Sequence, residues 1–246
     1  MSSIAPTKMQ QAPKQFEAAR GWPYFAALFV IAILAFWPSY FSPGLGTSSV
    51  YTHIHAATAA LWMCMLIVQP WLIRTYRFDL HRTVGLASYV LVPMVLISML
   101  LLANFRIRSA TEANYPIQTY LLYLQISLAV LFAFSFALAM IYRRNADLHA
   151  RFMVCTALTL IDPVFARLFF SIIPDAVQYH QWMTNGLTDL ILVILIFAER
   201  RSKTGRWVFP VMLVIFVAAQ LPALLWLTNW PIWQSFAQWF KAIPLT

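Results

Sequence analysis

The 246 residues are 61% hydrophobic and only 10% charged, with a mean hydropathy of +0.70. A water-soluble domain cannot bury that much apolar surface, which excludes soluble-type catalysis and points to an all-α polytopic membrane protein. The net charge of +9 is accounted for below by loop placement, so it gives no reason to expect a nucleic-acid partner.

Residues 1–20 are polar and mixed. They lack the apolar core and small-residue cleavage site of a signal peptide and read as a cytoplasmic tail. Seven apolar runs follow, at roughly 23–41, 51–73, 84–105, 117–142, 150–173, 183–199 and 207–228, each near the ~20 residues that cross the hydrocarbon layer as helix. Lipid offers no partner to an unpaired backbone group, so helices are the expected form. Residues 21–228 are thus expected to be a seven-helix membrane domain in contact with the lipid bilayer. Residues 229–246, with Trp230, Trp233, Phe236 and Trp239, predict a short amphipathic segment on the outer surface.

Orientation follows from the basic residues. Lys8, Lys14 and Arg20 precede the first run, and Arg74, Arg77 and Arg82 lie between the second and third. Arg143, Arg144 and Arg151 separate the fourth and fifth, and Arg200, Arg201, Lys203 and Arg206 the sixth and seventh. The opposite side carries only Arg106, Arg108 and Lys241. The expected topology is N-in and C-out in a bacterial inner membrane. Cys64 and Cys155 predict two buried thiols and no disulfide.

The chain repeats a phrase. Asp79-Leu80-His81 and Asp147-Leu148-His149 each close a basic loop and open an apolar run, with Pro93 or Pro163 further in. Helices two–three and four–five would then be hairpins of the same topology, a parallel repeat as in some transporters. Asp79 and Asp147 are placed to cap backbone N–H groups. His81 and His149, on matching helices, are candidate axial ligands of one b-type haem, with Arg82 or Arg151 for a propionate. Capped helix starts with interfacial histidines account for the same residues without a cofactor.

On the other side lie His53, His55 and His180. Two residues apart on a helix, His53 and His55 point about 200° from each other, so one of them faces the bundle. His55 with His180 is a candidate second haem or copper site.

His55, Gln69-Pro70, Arg74, His81-Arg82 and Gly85, followed by His149, Arg151, Met153 and Arg167 and by Trp182, Asn185 and Glu199, resemble an uncharacterised bacterial family of polytopic membrane proteins. That family is a domain of unknown function with a His-Arg-x-x-Gly helix start. The resemblance spans roughly residues 52–200 and implies the helical fold and His55 as the inward-facing histidine, but no activity. Ala150 and Phe152 depart from its pattern. The layout of one histidine pair on each face is similar, in architecture only, to cytochrome b561-type proteins.

Charges inside apolar runs are costly and mark candidate sites. Asp162, Arg167 and Asp189 fall inside helices five and six, and matching depth predicts an Arg167–Asp189 salt bridge. Asp162, ahead of Pro163, is expected to be unpaired. Gln69 can bond across helices or contact a quinone carbonyl. Three classes of function fit these residues. One is haem-based membrane electron transfer with a quinone or redox partner. The others are a small proton-coupled transporter using Asp162, Arg167 and Asp189, and a non-catalytic membrane subunit or assembly factor.

Overall fold

The computed structural model describes residues 20–246; residues 1–19, which hold nearly all of the expected tail, lie outside them. Ten α-helices follow in order: α1 (Trp22–Phe36), α2 (Val50–Arg74), α3 (Phe78–Leu86), α4 (Ser88–Arg108), α5 (Tyr115–Ile141), α6 (Ala146–Leu158), α7 (Ile161–Ile172), α8 (His180–Glu199), α9 (Val208–Leu224) and α10 (Pro231–Ala242). No strand occurs among the described residues. Six stretches are long and apolar enough to cross a membrane: Trp22–Phe41, Val50–Arg74, Ser88–Arg108, Tyr115–Ile141, Ala146–Ile172 and Pro174–Glu199. α9 is apolar but has only 17 residues. Val30, Val90, Val130, Ile194, Phe197 and Val214 stand exposed along these helices. Only lipid makes such a surface stable, so this is an integral membrane protein.

Local chemistry sets the helix ends. Ser49 caps α2 by accepting the Thr52 backbone N–H at 3.2 Å. Pro23, Pro116 and Pro231 open α1, α5 and α10, where their missing N–H costs nothing. α1 continues into a π-helical turn at Trp37–Phe41. Both helices that open with the repeated Asp-Leu-His phrase are broken. The first breaks at Ala87, between α3 and α4, and the second at Thr159–Leu160, between α6 and α7. The two breaks come after nine and thirteen residues, so the two copies of the repeated phrase open differently shaped helices.

The expected aspartate caps are replaced. Asn145 caps α6 through the Leu148 N–H at 3.2 Å, while Asp147 accepts the Thr204 hydroxyl from the α8–α9 loop. Asp79 lies in the first turn of α3, which has no side-chain cap. Cys155 is buried, but Cys64 is exposed, and both are free.

α10 is held at the end of the bundle where α4 gives way to α5. Asn104 Nδ2 donates to the carbonyls of Phe240 (2.7 Å) and Ile243 (3.2 Å). Trp233 Nε1 donates to the Thr119 carbonyl at 3.0 Å. Its own Ala237 and Phe240 are buried against the bundle.

Candidate functional site

Polar side chains gather in two places, one at each end of the helices. At the end bearing the arginine-rich loops, Gln69 reaches from α2 to α3. Its amide orientation follows from the groups around it. The nitrogen donates to the His81 carbonyl at 3.2 Å and to His81 Nδ1, and the oxygen accepts the Gly85 N–H at 3.1 Å. His81 and Gly85 are an i, i+4 pair, so the amide inserts into the α3 ladder two residues before the helix breaks.

His149 approaches His81 closely enough for its charge to oppose a charge there. Its own Nδ1 is 2.9 Å from the Ala139 carbonyl on α5, an N–H···O bond that fixes the tautomer. Burial first, and then His149, lower the His81 pKa below the usual 6.5. A neutral His81 that accepts from Gln69 at Nδ1 carries its proton on Nε2. Held in this way, the ring offers iron no lone pair.

Arg151 is not open to a propionate. It is 0% exposed, ion-paired to Glu199, and donates to Ser202 Oγ (2.9 Å) and the Asp147 carbonyl (2.8 Å). It fastens the start of α6 to the end of α8 and the following loop. Arg82 is exposed.

The second cluster lies at the opposite end. His55 Nδ1 meets Ser98 Oγ of α4 at 3.1 Å, and Ser98 also meets Thr58 Oγ1 at 2.9 Å. His53 turns away, to the Tyr40 hydroxyl of the π-helical turn (2.8 Å). Arg106 and Arg167 lie within electrostatic reach of His55 and of each other. Arg167 stacks over the Phe36 ring at 4.3 Å and donates to the Pro163 carbonyl at 2.9 Å. Arg106 makes no hydrogen bond or ion pair among the described residues. Asp162 lies within reach of Arg167 and of Tyr120. Oδ1 of this buried carboxylate accepts Thr184 Oγ1 (2.6 Å) and Gln181 Nε2 (2.7 Å). Arg106, Arg167 and His55 thus lie near one another, and of the three Arg167 lies within reach of Asp162.

Three expectations change here. Asp162 is not unpaired. Arg167 and Asp189 form no salt bridge: Arg167 turns to α1, while Asp189 accepts Gln220 Nε2 of α9 at 3.2 Å. Five residues of helix rotate a side chain about 140°, so Asp162 meeting α8 sends Arg167 to another neighbour. His180 does not join His55; it bonds the Ile173 carbonyl at 3.0 Å beside Phe169 and Phe170.

Gln69 lies at the far end from Asp162, Arg167 and Asp189, so the four are not one cluster. Arg106, Tyr120, Gln181 and Thr184 were missed. One signal was present in the sequence: Gln181, Thr184, Asn185 and Thr188 recur at i, i+3, i+4 and i+7, a polar stripe on one face of an otherwise apolar helix. No group of three or more His, Cys, Asp or Glu suited to a metal ion occurs among the described residues. The chain matches no protein-family model, no curated protein and no solved structure.

Proposed function

We propose that the protein is a small membrane carrier for an anion, a carboxylate or an inorganic oxyanion, bound between Arg106, Arg167 and His55. One observation carries the reading. Arg106 and Arg167 share an electrostatic neighbourhood with Asp162 as its carboxylate, and Asp162 makes its hydrogen bonds elsewhere. Uncompensated positive charge within a membrane span is costly, and a bound anion relieves it. Arg167 and His55 each lie five residues from a helix end, roughly 8 Å below the surface, within reach of a solute from that side. The arginine-rich loops all lie at the other end. The positive-inside rule makes that end cytoplasmic, so the basic cluster faces outward, with seven crossings if α9 also spans.

Thermal stability of the purified protein tests this with chloride, nitrate, sulfate, phosphate, acetate and succinate. At least one anion is expected to raise Tm, by about 2.7 kcal/mol of stabilisation at a hundredfold excess over Kd. Arg167→Gln and Arg106→Gln are expected to abolish the gain, and the stabilising anion should accumulate in proteoliposomes. Failure of every anion to stabilise or accumulate overturns the reading.

The proximity of His81 and His149 supports a second reading, a bis-histidine b-type haem in electron transfer. It requires Gln69 to release His81 Nδ1. A Soret band that shifts on reduction and is lost in His149→Ala would establish it; a flat visible spectrum from folded protein grown with haem precursor would end it.

A further inference from the structure

α10 lies across the α4–α5 hairpin and not along it. Near its start, Trp233 Nε1 donates to the Thr119 carbonyl at 3.0 Å, and Gln234 Nε2 to Thr119 Oγ1 at 3.4 Å. At its end, Asn104 Nδ2 donates to the Phe240 carbonyl at 2.7 Å. Thr119 comes one turn after the start of α5 and Asn104 one turn before the end of α4, so both lie about 6 Å below the loop that joins these helices. Two anchors at one depth set α10 nearly parallel to the membrane plane that the hairpin crosses.

The sides of α10 then differ in depth. Ile232 and Trp239, about two turns apart, share one side and are 83% and 60% exposed. Lys241 comes about two and a half turns after Ile232 and so falls on the opposite side. That side faces the α4–α5 loop, because Lys241 Nζ is 3.5 Å from the Ala110 carbonyl. The loop is the part of the hairpin farthest from the bilayer centre. Lys241 therefore points toward the headgroups, and Ile232 and Trp239 toward the acyl chains, the layout of a helix seated at the boundary between the two.

Between α10 and the loop is an open groove of about 430 Å³, lined by Thr111, Glu112, Tyr115, Gln238 and Lys241. It holds one cation and one anion that do not pair with each other. Lys241 sits over the Tyr115 ring at 5.0 Å and reaches only a carbonyl. Glu112 makes no hydrogen bond or ion pair among the described residues. A purely anionic headgroup would meet Glu112 as a like charge, whereas a zwitterion complements both. Its ammonium must be primary, since N–H donors are what bond a carboxylate strongly. The Tyr115 face, which would suit a quaternary ammonium, is taken by Lys241.

We propose that this groove binds a zwitterionic phospholipid headgroup, its phosphate against Lys241 and its primary ammonium against Glu112. Gln238 and Thr111 supply further hydrogen-bonding groups. The leaflet is the outer one on the orientation proposed above. The site shares no residue with Arg106, Arg167 and His55, and it stands or falls apart from the anion carrier.

Native mass spectrometry of the purified full-length protein tests it, with phosphatidylethanolamine, phosphatidylcholine and phosphatidylglycerol of identical acyl chains. Phosphatidylethanolamine is expected to be retained most strongly. Lys241→Gln and Glu112→Gln, neither at a buried position, are each expected to weaken its retention by up to about fivefold, the most that one exposed ion pair supplies. Glu112→Gln is also expected to raise retention of phosphatidylglycerol, because the like charge is gone. Equal retention of the three lipids by the wild type overturns the site, and so does a preference for either of the other two. A phosphatidylethanolamine preference untouched by both substitutions overturns it as well, since the lipid would then be held elsewhere.

Discussion

Arg151 and Arg167 are both arginines in the apolar part of the same chain, and their surroundings are opposite. Arg151 is fully buried, with Glu199, Ser202 and the Asp147 carbonyl around its guanidinium. Arg167 has a carbonyl and a ring face, with Asp162 within reach but bonded elsewhere and Arg106 pressing a like charge toward it. A charge whose partners all come from the protein holds the protein together. A charge left undercompensated beside a second cation is set up to meet something that arrives from outside. On the proposed reading, the two ends of this molecule separate fastening from binding.

The largest effect that would test this contrast is on stability. Arg151→Met leaves Glu199 without its cation and is expected to cost about 3–5 kcal/mol, measured by denaturation in detergent micelles. Arg151→Met combined with Glu199→Met should recover most of it, since an apolar pair of similar volume removes both desolvation penalties. Arg106→Gln, by contrast, relieves a like-charge contact and should change stability by less than about 1 kcal/mol without anion. Equal losses from Arg151→Met and Arg106→Gln would erase the distinction.

Gly205 sharpens the fastening side. Its φ of +71° is left-handed, and a Cβ there would stand 2.7 Å from Arg151 Nη1 and 3.1 Å from Leu148. Gly205→Ala is expected to cost about 2 kcal/mol, from the backbone penalty and the displaced guanidinium together. Gly186, whose Cβ would meet nothing within 4 Å, provides the control: Gly186→Ala should be neutral or slightly stabilising.

The helices themselves were legible, because runs of apolar residues near twenty long have one solution in lipid. Their ends were less so. Gln69 inserts its amide from another helix two residues before the break at Ala87, and no local pattern announces that contact. The Asp-Leu-His phrase suggested equivalent caps, yet Asn145 is better placed than Asp147 to reach the Leu148 N–H. Asp162, Arg167 and Asp189 stood out as charges in apolar runs. Their pairing was misread because matching depth says nothing about which face of a helix a side chain occupies. Arg106 reads in the sequence as a loop charge, since its nearness to Arg167 appears only in the folded chain. The polar stripe of α8 could have been found, because its spacing is local and helical.

Gln69 and His81 yield the smallest predicted effect and the one with a definite sign. The His81 pKa is below 6.5 in the fold and ordinary in the unfolded chain. Between those two values the unfolded state binds more protons, so stability falls as pH drops through that window. It is complete above 6.5 and levels off below the folded value. The Gln69 side-chain amide gives the same sign, against a hydrogen bond to the Gln69 backbone that raises the His81 pKa. Protonated Nδ1 becomes a donor and meets the donor face of the Gln69 amide, and turning the amide over would then set its N–H against the Gly85 N–H. His81→Gln should remove this His81 contribution to the slope of stability against pH across that range. Gln69→Leu should cost about 1–3 kcal/mol by leaving the α3 backbone groups unpaired, and should reduce the slope. An undiminished slope in His81→Gln would show that His81 is not its source and make the Gln69 insertion a purely mechanical joint.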